Sequence, residues 1–345
     1  MNDFKNTVGI VGMGLYLPKQ KMTAMEISQA TGGVWSEEAV QNKLGILEKY
    51  IPSQEATDGT QEMGALAALD CLKKTGEDPM NIDAVLCIGE EWKEYPLTTS
   101  ACYIQNRIGA KKAWALDLSN RCCTGVSALK IAKDILLTDE ECHTVLVAGG
   151  YRNVDCVDYK DSNTSFMFDL SAGGAAILLK KNYGKNLVLG SHLMSNGSIV
   201  HTCGVEIGGT KNPATPDNLA QSNYLRVMEP EKMKKVLNRE SMENWMFCID
   251  EALRKSSLTR EDIGYLDILH MKRSGHLEML KKLKLREDQT IYLERYGHLG
   301  QLDQILSLKL ALEQGKVQDG TVVAMIAAGI GYTWAASIIK WGEAS

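Results

Sequence analysis

The sequence has 345 residues, of which 44% are hydrophobic and 23% are charged, and its formal net charge is −5. A chain of this length is expected to form two domains or one large duplicated domain. A net negative charge without a basic run argues against nucleic acid or anionic membrane as partners. No stretch reaches the ~18 apolar residues of a membrane span, and the N-terminus lacks the basic-then-apolar pattern of a signal peptide. We therefore expect a cytoplasmic protein.

The nine cysteines include no Cys-x-x-Cys pair. In a cytoplasmic protein they are expected to be free thiols, and their spacing does not suggest a zinc site. Most buried cysteines act only as small hydrophobic side chains, so any functional cysteine needs a further argument.

Helix and strand patterns alternate along the first half of the chain. Residues 64–91 show apolar residues at three-and-four spacing and then a short apolar run, which predicts a helix, a turn and a buried strand. The strand "AWALDLS", the helix "NRCCTGVSALKIAKDILL" and the strands "HTVLVAGG" and "GGAAILLKK" follow.

The second half repeats this order. Residues 245–275 again predict helix, turn and strand, followed by "QTIYLE", a helix within "YGHLGQLDQILSLKLALEQG", and the strands "TVVAMIAAG" and "WAASIIKW". Alternating strands and helices indicate parallel-rich sheets covered by helices. We predict an α/β fold of two pseudo-symmetric halves in five layers, α/β/α/β/α, with the N-terminal half at 1–184 and the C-terminal half at 185–345.

This repeat predicts where a site would lie. The start of the helix at 122–137 is equivalent to the start of the helix at 298–313, so Cys122 and Cys123 should face His298. His270 ends a buried strand, where a polar side chain needs a partner or a purpose. Strand C-terminal ends and helix N-termini are where open α/β sheets place their chemistry.

A cysteine at a helix N-terminus can act as a nucleophile. Unpaired N–H groups and the helix dipole stabilise the thiolate, and a neighbouring imidazole suits it to acyl transfer. The glycine-rich turn "AAGIGYTW", with Ile330 and Gly331, offers a further N–H donor to an oxyanion or substrate. The alternative is that the cysteines fill the core and both histidines are structural.

The ordered set of segments resembles the thiolase superfamily, and within it the β-ketoacyl-acyl-carrier-protein synthase III group and the related 3-hydroxy-3-methylglutaryl-CoA synthases. The segments are "GIVGMGLYLPKQKMT", "KLGILEKYIP", "LDLSNRCCTG", "FDLSAGGAAILL", "ILHMKRSG", "RYGHLGQLDQILSLKLAL" and "GIGYTWAASIIKW". The resemblance implies a thiolase-like fold and a homodimer. It also implies decarboxylative Claisen condensation, in fatty acid or polyketide biosynthesis, of an acyl-cysteine with a malonyl-type thioester. Coenzyme A or acyl carrier protein would carry the acyl groups, and no metal or bound cofactor is expected.

The resemblance assigns the nucleophile to one of two neighbouring cysteines. The family pattern Asp-x-x-Asn-x-Cys falls on Asp117, Asn120 and Cys122. Counting back from Gly125 instead favours Cys123, because some members read Cys-x-Gly. We take Cys122 as the candidate and keep Cys123 as the alternative.

The resemblance also assigns the two histidines. The catalytic histidine of the family falls on His270, and an asparagine that follows Tyr-Gly is replaced here by His298. That position implies a role for His298 in the second half-reaction rather than in activating sulfur, and the replacement puts carbon–carbon bond formation in doubt. Asp303, five residues on, is a candidate to orient His298, but we interpret it as an exposed helix residue.

Further residues are assigned by position alone. Glu90 and Glu91 follow a strand where hydroxymethylglutaryl-CoA synthases carry a general acid/base, and Glu91 fits better; Glu94 resembles a glutamate of head-to-head condensing relatives. Lys43 stands where relatives have a coenzyme A-binding arginine, and Arg273 lies where they have an asparagine near the pantetheine arm. Two alternatives remain: an acyltransferase or non-decarboxylative condensing enzyme of this fold, and a non-catalytic partner subunit.

Overall fold

The computed structural model describes residues 6–53 and 58–343. The strands are β1 (Val8–Tyr16), β2 (Gln20–Thr23), β3 (Glu48–Ile51), β4 (Ala84–Cys87), β5 (Trp114–Asp117), β6 (Thr144–Tyr151), β7 (Gly173–Lys181), β8 (Lys185–Ser195), β9 (Cys203–Val205), β10 (Leu225–Val227), β11 (Ile263–Ile268), β12 (Val322–Gly329) and β13 (Thr333–Glu343). The α-helices are α1 (Ala24–Ala30), α2 (Glu37–Ala39), α3 (Thr60–Thr75), α4 (Ser100–Ile108), α5 (Thr124–Thr138), α6 (Pro230–Lys255), α7 (Arg273–Leu283) and α8 (Asp303–Glu313). None of these helices is long and apolar enough to cross a membrane.

One large sheet contains the predicted repeat. Nine strands pair in the order β11-β12-β13-β8-β1-β7-β6-β4-β5. In the first half β7 is antiparallel to β1 and β6, whereas β4 is parallel to β6 and β5. In the second half β13 is antiparallel to β8 and β12, and β12 is parallel to β11. The same order and polarity therefore occur twice, and β1 joins β8 through the pairing of Gly9 with Leu187.

The predicted strand "QTIYLE" is present only as a bridge. Thr290 pairs in parallel with Leu266 of β11, and its hydroxyl donates to the Leu266 carbonyl at 2.9 Å. Further along, the Glu294 carbonyl accepts from the main-chain N–H groups of Leu47 at 2.7 Å and Glu48 at 3.2 Å. Because the chain turns there to bind residues 47 and 48, the ladder with β11 does not continue.

The N-terminal halves of helices α5 and α8 lie in the interior. Every residue of 124–129 in α5 is buried, as is every residue of 303–308 in α8. Helices buried on all sides belong to the middle of a layered protein, and these two contact each other. A short 3₁₀ turn precedes each, Arg121–Cys123 before α5 and Gly300–Leu302 before α8. The two turns pack together, so the N-terminal ends of α5 and α8 meet at one place.

Candidate active site

The turn between β5 and α5 carries the candidate nucleophile. Asp117 ends β5, and its carboxylate accepts the main-chain N–H groups of Ser100 at 3.0 Å and Ala101 at 2.7 Å. This contact ties the strand to the start of α4. Asn120 donates from its side-chain amide to Ser127 Oγ at 2.7 Å. The end of the strand and the first turn of α5 are thereby fixed on both sides of the cysteines.

Arg121 gives this turn its shape. Its φ is +51°, in the left-handed region that costs a residue with a side chain about 1–2 kcal/mol. At Gly329, the last residue of β12, a Cβ would lie 3.1 Å from the Cys122 main-chain nitrogen and 3.1 Å from Arg121 Cβ. This close approach holds Cys122 at the N-terminal end of α5, where free N–H groups and the helix dipole favour a thiolate.

The two cysteines point in different directions. Cys122 is partly exposed, whereas Cys123 is fully buried and belongs to the hydrophobic core. The Cys123 thiol donates to the Thr333 carbonyl at 3.4 Å. Burial raises the pKa of Cys123 far above that of an ordinary thiol, so it stays protonated and unreactive. The structure therefore favours Cys122 over Cys123 as the reactive sulfur.

His298 contacts this sulfur directly. Its Nε2 lies 3.2 Å from Cys122 Sγ, and its Nδ1 lies 2.5 Å from Asp303 Oδ2. Burial opposes protonation of the ring, but Asp303 and the Cys122 sulfur together raise the pKa of His298 well above its ordinary value. The arrangement is that of a nucleophile, a base and a carboxylate that orients the base.

The interpretation of Asp303 as an exposed helix residue was wrong. Asp303 is fully buried at the start of α8. Besides the His298 ring, its carboxylate accepts the main-chain N–H groups of His270 at 2.7 Å and Leu299 at 2.7 Å. A buried carboxylate with three donors is well compensated. The signal in the sequence was weak: an aspartate five residues after a histidine, followed by an apolar helix.

His270 lies two residues beyond β11 and is also buried. Its ring nitrogens make no hydrogen bond within the usual limits of distance and angle to the described residues. The main chain of Leu44 nevertheless acts to raise the pKa of the ring. Burial, the dominant cause, lowers the pKa of His270 to about 4. At neutral pH the ring is therefore neutral and offers one N–H donor and one acceptor nitrogen.

Asp169 is a site residue that sequence reasoning missed. Its Oδ2 lies 3.9 Å from His270 Nε2, and its Oδ1 has no partner among the described residues. Burial raises the pKa of Asp169 to about 6, although His298 and Lys49 oppose this effect. A second carboxylate and a second histidine thus lie beside the Cys122–His298 pair.

Of the two adjacent glutamates, the structure favours Glu90 over the predicted Glu91. The Glu90 side chain is 5% exposed and that of Glu91 is 72% exposed. Arg121 bridges them, with Nη1 3.1 Å from Glu90 and Nη2 3.1 Å from Glu91. Burial raises the pKa of Glu90. The charge of Arg121 is the largest effect that opposes this rise, and the charge of His298 is the smallest. Glu90 is thus electrostatically coupled to the site, while Glu91 lies at the surface.

Glu94 has a structural role. Its carboxylate accepts the main-chain N–H groups of Gln61 at 2.8 Å and Glu62 at 3.2 Å. These are donors in the first turn of α3, which a carboxylate commonly caps.

The predicted substrate-binding residues fall in two places. Ile330 and Gly331 lie in the turn after β12. Gly329, the last residue of β12, packs against the turn that carries Cys122. Lys43 is exposed, in a single π-helical turn that follows α2. Arg273 is exposed at the start of α7, where it binds Glu294 at 2.7 Å and lies 4.5 Å from the Tyr292 ring centre. Its guanidinium is therefore already engaged by a carboxylate.

Comparisons with known proteins agree with this architecture. The family model for 3-oxoacyl-[acyl-carrier-protein] synthase III matches residues 116–197, and the model for the C-terminal part of that enzyme matches residues 253–341. The chain is 29% identical over 348 residues to the β-ketoacyl-[acyl-carrier-protein] synthase III of Caldanaerobacter subterraneus, which covers 98% of this chain and 99% of that protein. The enzyme of the same name from Azobacteroides pseudotrichonymphae is 29% identical over 336 residues, 96% of this chain and 97% of the relative.

Solved structures share the fold at lower identity. The 3-oxoacyl-[acyl-carrier-protein] synthase III of Aquifex aeolicus superimposes with a TM-score of 0.82 at 23% identity, over 97% of this chain and 100% of that one. A priming β-ketosynthase of a polyketide pathway gives a TM-score of 0.81 at 20% identity, over 98% of each chain. These likenesses confirm the predicted duplicated thiolase-like α/β fold.

Proposed function

Since the chain is a β-ketoacyl synthase III-like protein of the thiolase superfamily, we propose that it is a condensing acyltransferase whose acyl carrier is Cys122. Cys122 would take an acyl group from acyl-CoA or an acyl carrier protein and pass it to the carbon of a malonyl-type thioester that loses carbon dioxide. The observation that carries the proposal is the 3.2 Å contact of Cys122 Sγ with His298 Nε2, backed by Asp303.

In the first half-reaction the thiol proton of Cys122 moves to His298 Nε2, and Asp303 stabilises the imidazolium. The thiolate attacks the acyl thioester carbonyl, and free N–H groups at the start of α5 stabilise the oxyanion. The C–S bond to the carrier then breaks. The leaving thiolate takes the proton back from His298, which leaves acyl-Cys122 and a free carrier thiol.

In the second half-reaction the neutral ring of His270 donates to the carbonyl oxygen of the malonyl thioester. This hydrogen bond stabilises the enolate that forms as the carbon–carboxylate bond breaks and carbon dioxide leaves. The enolate carbon attacks the acyl-Cys122 carbonyl, and the Cys122 thiolate leaves and takes a proton from water, because His298 gave up its proton in the first half-reaction. Because the pKa of His270 is lowered to about 4, the ring remains neutral throughout this step.

A second candidate function is acyl transfer to an alcohol or an amine. The observation that favours it is the histidine–aspartate pair at the position where the family resemblance leads us to expect an asparagine. Once acyl-Cys122 has formed, His298 can take a proton from a hydroxyl or amine, as the base does in a triad. The hypothesis of a non-catalytic partner subunit predicts instead that no thiol becomes acylated.

One experiment separates these functions. The protein is incubated with a panel of acyl-CoA thioesters and its intact mass is measured, and the acylated form is then treated with malonyl thioesters or with alcohols and amines. If malonyl thioester removes the adduct and carbon dioxide is released, the result supports condensation. Loss only to alcohols or amines supports simple transfer, and absence of any adduct contradicts both enzymatic proposals.

A further inference from the structure

Lys49 is a fully buried lysine in β3. Its ammonium donates three hydrogen bonds of 2.7 Å each, to Tyr159 Oη and to the carbonyl oxygens of Phe168 and Leu170. A lysine ammonium has three N–H donors, so its capacity is filled. Lysine is almost never fully buried unless it is paired, and neither proposed half-reaction uses this side chain.

The two carbonyls that Lys49 binds flank Asp169. The Asp169 carbonyl accepts the main-chain N–H of His298 at 2.8 Å, and the His298 carbonyl accepts the N–H of Ser171 at 2.9 Å. Leu170 and His298 thus form an isolated parallel bridge. The segment that Lys49 grips is therefore the one that holds the main chain of His298.

Gly297 closes this contact from the other side. Its φ is +72°, and a Cβ there would lie 2.6 Å from the Asp169 carbonyl oxygen and 2.7 Å from Lys49 Cβ. A larger residue would have to displace one of these groups. Lys49, Asp169 and the residue before His298 therefore form one close-packed unit.

Charge adds to the packing. Burial lowers the pKa of Lys49 to about 7, against the opposing effect of the Asp169 charge. Lys49 in turn opposes the rise in the pKa of Asp169, so each group favours the charged form of the other. Asp169 Oδ2 is 3.9 Å from His270 Nε2. The charge interaction of Lys49 with Asp169 therefore lies next to the second histidine as well.

We infer that Lys49 is a positioning residue for both histidines, and that it acts through the Phe168–Leu170 segment. It fixes the main chain of His298 so that the ring meets Cys122, and it places the Asp169 carboxylate beside His270. The inference rests on the proposed function only in taking Cys122 and His298 as the reacting pair.

The test compares the reactivity of Cys122 in wild type and in Lys49→Met, which keeps the apolar stem but removes all three donors. Iodoacetamide alkylation is followed against pH by peptide mass spectrometry, with the exposed Cys102 as a reference in the same protein. In Lys49→Met the alkylation of Cys122 should slow at each pH relative to that of Cys102, because His298 no longer holds its 3.2 Å contact with the Cys122 sulfur. Acylation should slow about 10–100-fold, as for a misplaced catalytic group.

Two further variants serve as controls for Lys49→Met. Lys49→Arg keeps the charge and several donors and should recover part of the wild-type profile. Lys133→Met is the matched control, since Lys133 Nζ donates to the Leu189 carbonyl at 2.7 Å without contacting either histidine; its profile should equal that of wild type.

The proposal is overturned if folded Lys49→Met gives the wild-type alkylation profile and acylation rate. If that variant does not fold, Lys49→Gln, which keeps two N–H donors without the charge, decides by the same criterion. Alkylation needs no acyl substrate. A wild-type protein that is alkylated normally but never acylated would contradict the proposed function and leave this inference standing.

Discussion

At the scale of single residues, the two neighbouring cysteines give a sharp prediction. Cys122→Ala should lose the acyl adduct entirely, because no other sulfur contacts His298 in the part of the chain that the structure describes. Cys123→Ala should keep the adduct, because its thiol faces the Thr333 carbonyl in the core. Intact-protein mass spectrometry after incubation with acyl-CoA measures both. An adduct that disappears only in Cys123→Ala would move the nucleophile by one residue.

The role of His298 is the second prediction at this scale. Its sequence position predicts a role in the second half-reaction, but its contact with Cys122 Sγ indicates that it is the base of the first. His298→Ala should therefore slow single-turnover acylation about 10²–10⁴-fold. Asp303→Asn should also slow it, because the loss of the carboxylate lowers the pKa of His298 and weakens the ion pair with the thiolate. Rapid-quench mass spectrometry measures these rates.

Normal acylation by His298→Ala, with only turnover to product lost, would restore the role that the sequence position suggests. His298→Asn serves as the comparison, because an amide can donate to a carbonyl but cannot take a proton from the thiol. If the structure assigns the role correctly, His298→Asn acylates as slowly as His298→Ala.

The pair of glutamates supplies a third prediction with its own control. Glu90→Gln should reduce turnover, because Glu90 is buried, binds Arg121 beside the nucleophile and is electrostatically coupled to His298. Glu91→Gln, one residue away and exposed, should stay within about twofold of wild type, as surface substitutions usually do. Steady-state kinetics with a matched acyl donor decide this. The opposite ranking would support the choice made from the sequence.

Part of the site could be predicted from the sequence and part could not. The repeat and the motifs together pointed to Cys122, His270 and His298, because position along a strand–helix unit is readable from hydrophobic periodicity. Asp303 was considered as a residue that orients His298 and set aside as an exposed helix residue, and Lys49 was not found. Charged residues are mostly exposed, and whether one is buried and paired depends on segments distant in the sequence.

At the scale of secondary-structure elements, β5 predicts how the chain assembles. It is the last strand of the sheet, and Trp114 and Leu116 are 44% and 46% exposed on it. An apolar edge strand is prone to pair with another chain, so we propose a homodimer in which β5 meets its copy. Light scattering at micromolar concentration should give the dimer mass for wild type and a lower mass for Leu116→Arg.

The control for this prediction is Leu219→Arg, which adds the same charge at a residue that is 62% exposed in the short turn Leu219–Gln221. It should leave the dimer intact. A monomeric wild-type protein, or a Leu116→Arg variant that remains dimeric, would place the interface elsewhere.

Elements differ in how well the sequence predicts them. The buried strands and the helices of the repeat were found because their apolar periods are clear. "QTIYLE" has the composition of a strand, yet it forms only a bridge at Thr290. Its main chain instead binds residues 47 and 48, a pairing between distant segments that no local pattern records.

At the scale of the whole molecule, buried ionisable groups predict how stability depends on pH. Asp267 of β11 is fully buried, and its carboxylate makes no hydrogen bond of ordinary geometry to the described residues. Burial raises the pKa of Asp267 well above 3.8; Asp303 adds to this, and nearby Ser307 opposes it. The folded protein therefore keeps a proton that the unfolded chain releases as the pH rises above about 3.8.

This difference in proton binding between the folded and unfolded states sets the direction of the pH dependence of stability. Below about pH 3.8 both states hold the proton and the group has no effect, whereas above it wild type loses stability as the pH rises towards the folded pKa. Asp267→Asn cannot lose a proton, so its stability relative to wild type should grow with pH by up to ~1.4 kcal/mol per unit. Urea unfolding at pH 5, 6, 7 and 8 tests this, with exposed Asp217→Asn as the control; equal slopes would contradict it.

The junction of α5 with α8 has one more consequence. The sulfur belongs to the first set of strands and helices and its base to the second, and their contact spans 3.2 Å. Neither set alone contains both the nucleophile and its base. Catalytic competence is therefore a property of how the two sets are registered against each other. A change that separates the ends of these helices, even by a few ångströms, would break the contact between sulfur and base while leaving both residues intact.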